Sequence, residues 1–298
     1  MHELDGLRGG VAGAALSQRE WDAIHALYER VWPAMPARLR RAEALGARWA
    51  DHTTPFTVFE RGRAIATVGV LAHPLRLRGE DVLVGGIHSV GTDPERRGEG
   101  HCRRALDAAV RWAEQRFELL KLSTSVPPVF AGVGFVKQPL FTFAVEHAGA
   151  GSGALRRLDL ARAEDLALVR QRMAQRTPLS NVLATRDEGW LVLIDAALAS
   201  VTASWFYDAP ELESVLVAEH DQGGACWTVH DVIGARLPAL GVLLAALPAP
   251  CQRVIVTFTP DRIAGPWGRE RVGGDDALML RGAWPELPAF GMPPLWEH

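Results

Sequence analysis

The sequence predicts an α/β (α+β) protein built as two successive units. Three observations carry this. The chain has 298 residues, which suits two domains of ordinary size. Strand and helix periodicities alternate along it, and one strand runs through a glycine-rich turn into a long amphipathic helix near residue 98. A small-residue run at 147–154, HAGAGSGA, reads as a flexible linker, and the pattern of elements starts again beyond it. The expected units are 1–147 and 155–298, joined by 148–154.

Taken in order, the elements are as follows. Ser17 and Glu20 form a capping-box pattern, and Trp21, Ile24, Leu27, Tyr28 and Val31 then share one helical face until Pro33. A second helix is expected over about 36–49. Strands follow at about 56–60 and 64–72, joined by Arg61-Gly62 as a hairpin turn. A further strand spans about 82–92. The helix after the turn runs about 99–117, with Cys102, Ala105, Leu106, Ala109, Val110 and Ala113 as its apolar stripe. Strands are expected at 119–123 and 141–145. In the second unit, 162–175 reads as a helix, 191–194 and 198–205 as a hairpin, and 215–218 as a strand. A helix over about 235–247 and a strand at 254–258 complete it.

Composition narrows the function classes. Hydrophobic residues make up 48% and charged residues 22%, the balance of a soluble globular protein. With a formal net charge of -3, no global basic field draws the chain to nucleic acid or to a membrane, and neither partner is expected. The basic side chains are almost all arginine; Lys121 and Lys137 are the only lysines. Cys102, Cys226 and Cys251 lie far apart without a CxxC pair, so neither a disulfide framework nor a metal site is expected. The first residues lack the apolar core of a signal peptide, and the longest uncharged apolar stretch, 237–250, is too short to span a bilayer. A cytoplasmic protein is the expectation, and a homodimer is compatible with it.

The most informative stretch is 87–102, IHSVGTDPERRGEGHC. A strand that passes through glycines into a helix gathers free backbone N–H groups and the positive end of the helix dipole at one point, which suits a phosphate or pyrophosphate. A P-loop is excluded, because Gly100 is followed by His101 and Cys102 rather than Lys-Ser/Thr. A dinucleotide fingerprint is excluded too, because Arg103 stands where the third glycine belongs. The stretch Arg97-Gly98-Glu99-Gly100-His101-Cys102 resembles motif A of the GCN5-related N-acetyltransferases (GNAT), Arg/Gln-x-x-Gly-x-Gly/Ala. It departs only at Cys102. Val90, Thr92 and Pro94 resemble the V-x-V-x-P before that motif, and Val133-Gly134-Phe135 resembles the end of the family's Y-x-x-x-G-F element. The resemblance covers roughly residues 15–147. It implies a GNAT-like mixed central sheet flanked by helices in the first unit, and the second unit reads either as a degenerate GNAT-like copy without the turn or as an unrelated α/β cap.

The resemblance also implies a chemistry: acetyl-CoA as co-substrate, an amine acceptor of a small molecule or peptide, and direct attack of the amine on the thioester. Val90, Gly91 and Thr92 would pair with the pantetheine arm. Arg97, Gly98, Glu99, Gly100, His101 and Cys102 would receive the pyrophosphate, largely through main-chain N–H groups. Arg96, Arg103 and Arg104 either add charge near the phosphates or form a solvated helix face. Ser123, Thr124 and Ser125, at a strand end, are placed to line the cofactor channel.

Acyl transfer to an amine needs a base, because the amine arrives protonated. By strand alternation His88 shares a face with Val90 and Thr92, and its ordinary pKa suits work near neutrality. It is the candidate catalytic residue, with a half-buried structural histidine as the bland alternative. The family's thiolate-protonating tyrosine falls at Phe130, which has no proton to give; Tyr28 and Tyr207 are the only tyrosines. Trp32, Trp49 and His52 are candidates for the acceptor pocket. Cys102, at a helix start, is either a thiol of lowered pKa or a packed stripe residue. Glu219, His220 and Asp221 read as a polar loop. Besides the acyltransferase, a non-catalytic acyl-CoA-binding module fits the same residues.

Overall fold

A computed structural model describes residues 4–147, 153–186, 189–198 and 205–293. Local chemistry accounts for the first elements. Helix α1 (Gln18–Val31) begins at a complete capping box, in which Ser17 and Glu20 each satisfy the other's backbone N–H. Helices α2 (Met35–Ala44) and α3 (Trp49–His52) follow. Strand β1 (Gly6–Gly9) pairs with β2 (Thr53–Glu60), and β2 turns through Arg61 and Gly62, both at positive φ, into β3 (Arg63–Leu77). That is the two-residue hairpin the dipeptide predicts. A second such turn, Arg78-Gly79, leads into β4 (Glu80–Thr92).

Helix α4 (His101–Glu114) comes next, then β5 (Leu119–Thr124), α5 (Pro127–Ala131), β6 (Val136–Gln138) and β7 (Phe141–Glu146). The remainder holds β8 (Arg156–Arg157), α6 (Ala163–Ala174), β9 (Leu183–Thr185), α7 (Trp190–Leu198), β10 (Phe206–Ala209), β11 (Ser214–His220) and β12 (Cys226–Ile233). It ends with α8 (Leu240–Ala246), β13 (Arg253–Val256), β14 (Gly268–Arg271) and β15 (Ala277–Gly282).

Two mixed sheets result. The first runs β1-β2-β3-β4-β5-β15-β6, with β9 added alongside β3; the second runs β8-β10-β11-β12-β13-β7-β14. Each contains one parallel pair, β4 with β5 and β12 with β13, and every other pairing is antiparallel. Position for position the two orders match, and in each the exchanged strand stands sixth.

This exchange corrects the simple division at residue 147. The strand expected at 141–145 exists, but it belongs to the second sheet, between β13 and β14. In return β15 enters the first sheet between β5 and β6. Its sequence explains the place: Leu278 and Leu280 pack on one core and Ala277 and Met279 on the other, so both faces are apolar, as an interior strand requires. Most of the expected linker, residues 148–152, lies outside the described residues.

The hairpin expected over 191–205 is also corrected. Residues 190–198 form α7, whose Leu191–Leu198 are all buried; residues 199–204 lie outside the described set. A helix that is apolar all round shows no period of its own, so its short apolar run imitates strands. Strand β12 has no counterpart among the expected elements. Its interior polar residues, Thr228, His230 and Asp231, mask the alternation of Trp227 and Val229. Helix α8 is shorter than expected because Pro238 and an extended Ala239 precede it.

Helix α1 and helix α4 cover opposite faces of the first sheet. The α4 face forms its own core with Val68, Val70, Ile87, Leu120 and Phe130. The α1 face merges with the second half of the chain in one continuous core, which also holds α7 and the inner face of the second sheet.

Candidate functional site

The site begins where two parallel strands part. Strands β4 and β5 pair only at Gly85–Leu120 and Gly86–Lys121. Beyond that point they diverge, and a cavity of about 840 Å³ opens between 87–92 on β4 and 122–125 on β5. Trp32, Met35 and Trp49 wall it from the α1 side, and Phe130 from the α4 side.

At its outer end lies the turn between β4 and α4. Asp93 anchors it: its side chain is fully buried, accepts hydrogen bonds from Arg30 (2.8 Å) and Arg63 (2.6 Å), and caps the tight Pro94–Arg96 turn through Glu95 N–H. Burial pushes the Asp93 carboxyl up, but the Arg63 and Glu95 hydrogen bonds and the Arg30 charge outweigh it and hold it below the ordinary carboxylate range. Gly98 and Gly100 then take φ of +83° and +82°, left-handed values that side chains resist. Gly100 is the N-cap of α4, and no side chain caps the helix. Its first N–H groups and its dipole are therefore available to an anion.

The charges around the turn divide into two kinds. Arg96 is committed to carboxylates, bonding Glu60 and Glu99 at 2.7 Å each. Its hydrogen bonds hold both acids below the usual carboxylate range. His101 leans on the same acids, at 3.2 Å from Glu99 and 3.5 Å from Glu60. Arg103 pairs with Asp107 one helical turn on, at 2.8 Å. Arg97 is exposed and, among the described residues, makes no ion pair. Of the sequence candidates, Val90, Gly91, Thr92, Arg97, Gly98, Gly100, His101, Cys102 and Ser125 line the cavity, while the Glu99 and Arg103 side chains do not. Burial pushes the Cys102 thiol up despite a hydrogen bond with Thr92, so the lowered thiol pKa considered from its helix-start position is not found.

His88 lines the inner part of the cavity and is buried. The expected alternation with Val90 fails, because β4 is bulged. Gly91 pairs with Thr67 but His88 with Gly69, so β4 carries one extra residue there, and Ser89 takes φ +48°. The bulge sends Val90 to the α4 face, where it packs with that core. His88 faces the α1 side instead. Its Nε2 lies 3.1 Å from Thr53 Oγ1 and its Nδ1 3.1 Å from Ser89 Oγ, with the Trp49 ring edge-on at 4.6 Å. Tyr28 closes this cluster from α1; burial pushes its hydroxyl up to about 12, against hydrogen bonds with Ser89 and Trp49. The structure thus adds Thr53, Ser89 and Tyr28 to the surroundings of His88. Only their shared location near the bulge signals them, and a bulge leaves no mark in a single sequence.

Trp32 packs closely enough on Gly91 that a Cβ there would sit 2.8 Å from its ring. Trp49 meets His88. His52 is drawn away: its ring stacks on Trp190 of α7, 3.9 Å between centroids and 4° between planes, and it does not line the cavity. Phe130 presents its ring to the cavity and packs against Phe135. The sequence reading also missed two contributors from the second half, Leu198 at the end of α7 and Asp276 just before β15.

The matching region of the second sheet is arranged differently. Strand β12 bulges at His230, between Val229 and Asp231, but there His230 Nδ1 meets Thr257 Oγ1 at 3.2 Å and its ring stacks on Trp205. Glu219 lies beside His230 at 3.5 Å. The connection to α8 has no left-handed glycine.

A mixed sheet whose central parallel strands splay beside a glycine turn at a helix start defines an acyltransferase fold of the GNAT class. Residues 14–135 match the family model of the acetyltransferase (GNAT) domain. The fold is shared over a longer span. A probable N-acyltransferase from Enterococcus faecalis V583 is 13% identical with a TM-score of 0.60, covering 92% of this chain and 71% of that one. Eis1 from Mycobacterium abscessus is 15% identical with a TM-score of 0.58, over 92% and 73%. A GCN5-related N-acetyltransferase from Kribbella flavida is 16% identical with a TM-score of 0.54, over 92% and 71%. At these identities the likeness is one of fold. No curated protein matches the chain.

Proposed function

We propose that the protein is a CoA-dependent N-acyltransferase that moves the acetyl group of acetyl-CoA to a primary amine. The observation that carries this is the continuity of one cavity, from the uncapped N-terminus of α4 at Gly100 to His88 in the splay of β4 and β5. An extended thioester with a pyrophosphate at one end fits that shape. In this reading the pyrophosphate accepts hydrogen bonds from the turn at 97–102, with Arg97 as the free cation. The pantetheine arm pairs with the unpaired edge of β4 at 90–92.

The amine must lose its proton before its lone pair attacks the thioester carbon. His88 is the base in this reading. A neutral imidazole donates from one ring nitrogen and accepts at the other, and both neighbours, Thr53 and Ser89, are hydroxyls that can do either. Attack forms the C–N bond and a tetrahedral oxyanion, which main-chain N–H groups of β4 would stabilise. The nitrogen gives up its second proton to solvent, and collapse breaks the C–S bond, leaving the neutral amide and CoA thiolate. Phe130 cannot protonate it, and a tyrosine at Tyr28, pushed up to about 12, is a poor acid near neutrality; solvent supplies that proton. Matching strand orders in the two sheets favour a tandem of GNAT-like units with one active centre, the second having lost its turn. No described helix is long and apolar enough to cross a membrane, in keeping with a soluble enzyme.

Thiol release from acetyl-CoA against a panel of primary amines tests the reading, with His88→Ala as control. Turnover that falls about 100-fold or more in kcat on that substitution supports His88 as base. Unchanged kcat across pH removes it. A second reading, an acyl-CoA-binding module without turnover, is favoured by Phe130. Tight CoA binding with no thiol release on any amine would establish it.

A further inference from the structure

The cavity takes one acidic side chain from the other half of the chain. Antiparallel pairing sets Ala277 of β15 opposite Thr124, so Asp276 stands beside the end of β5, level with Ser125. Among the described residues lining the cavity it carries the only carboxylate, and it makes no ion pair there. The arginines that line the cavity belong to the β4–α4 turn: Arg97 unpaired, and Arg96 held by Glu60 and Glu99. One cavity therefore presents a positive end and, across β5, a separate negative point.

We propose that Asp276 is a specificity-determining residue that receives a second positive charge on the acceptor, which makes the acceptor class an amine bearing at least two cationic groups. This rests on the acyltransferase reading. The reacting nitrogen must be neutral at the thioester, and a carboxylate beside it would stabilise its ammonium form and oppose attack. The charge that Asp276 holds thus belongs to another nitrogen of the same molecule. Register supports the separation. Gly86 pairs with Lys121, so His88 is level with Ser123, two residues short of Asp276 along the strands and two strands away. That is about 7 Å along and, because β4 and β5 have parted by then, at least about 10 Å across, or roughly 12 Å or more in all, a span on the scale of an extended aliphatic triamine.

The test is equilibrium binding of spermidine and of hexylamine, a one-charge control, to the full chain saturated with CoA. Wild type is compared with Asp276→Asn, an exposed position where the fold is not at stake. At low ionic strength the substitution is expected to weaken spermidine binding about fivefold, the effect of one solvent-exposed ion pair. The difference should close at about 0.5 M salt, and hexylamine and CoA affinities should be unchanged. Equal spermidine affinity in the two proteins, no spermidine binding by wild type, or a changed CoA affinity in the variant would each overturn the proposal. Thiol release is read separately. Asp276-dependent spermidine binding with no thiol release on any amine leaves the polycation site standing and overturns the acyltransferase reading on which its role as an acceptor site rests.

Discussion

Ala277 pairs with Thr124 across more than half the length of the chain, and through this register the last strand completes the first sheet. A fragment ending at residue 147 would leave β5 with only β4 beside it and β6 without any partner, and it would expose β7, whose place is in the second sheet. Such a fragment is expected to lack a cooperative thermal transition and to bind no CoA. A sharp melt together with wild-type CoA affinity would show that the exchange is dispensable.

The His88 imidazole occupies the space that a Cβ on Gly69 would fill. Gly69→Ala must displace a buried ring held on both sides by hydroxyls, and overpacking of this kind costs about 1–3 kcal/mol. Chemical denaturation should show that loss. The double variant Gly69→Ala/His88→Ala should recover part of it, because the two side chains compete for one volume. Strictly additive losses would mean that the glycine serves something other than the histidine.

Arg96 and Arg97 are neighbours with different expected effects. Arg97→Ala removes the unpaired cation and should weaken CoA binding several-fold at low salt, with stability within about 0.5 kcal/mol of wild type. Arg96→Ala breaks the links to Glu60 and Glu99 and should lower the melting temperature. Titration with CoA and a melt of each variant check both. The opposite assignment would place Arg96 on the ligand.

Asp93 makes the turn sensitive to acid. Its folded carboxyl is held below the unfolded value, so its contribution to stability is present above about pH 4, the unfolded pKa, and is lost as pH falls through the folded one. Asp93→Asn should destabilise by about 2–4 kcal/mol at neutral pH, because Arg30 and Arg63 lose a buried partner. Denaturation at stepped pH should show wild type and variant converging as pH falls from about 4 through the folded pKa. A gap that persists below the folded pKa would assign the loss to packing rather than charge.

Local information made much of the site legible. The capping box at Ser17, the hairpin at Arg61-Gly62 and the turn from Arg97 to Cys102 are each set by residues within a few positions of one another, and each stands in the structure as read. His88 was legible as a candidate but not its orientation, since alternation assumes an unbroken strand and the bulge at Ser89 breaks it. His52 sits beside Trp49 in sequence, yet Trp190 captures its ring. Helix α7 and strand β12 were misread because burial on all sides, or polar residues inside a sheet, erase the periods on which such reading depends.

The sequence by itself determined the backbone geometry of the turn. Left-handed glycines and a helix start are local properties of the backbone, and they leave the first N–H groups of α4 uncapped by any side chain. Only the tertiary structure decided what else shares the cavity: which face His88 occupies, that Trp32 and Trp49 reach it while His52 does not, and that β15 brings Asp276 from the far end of the chain. Strand pairing between distant segments depends on whether both faces of a strand can be buried at once, and that is a property of the assembled sheets rather than of any stretch of sequence.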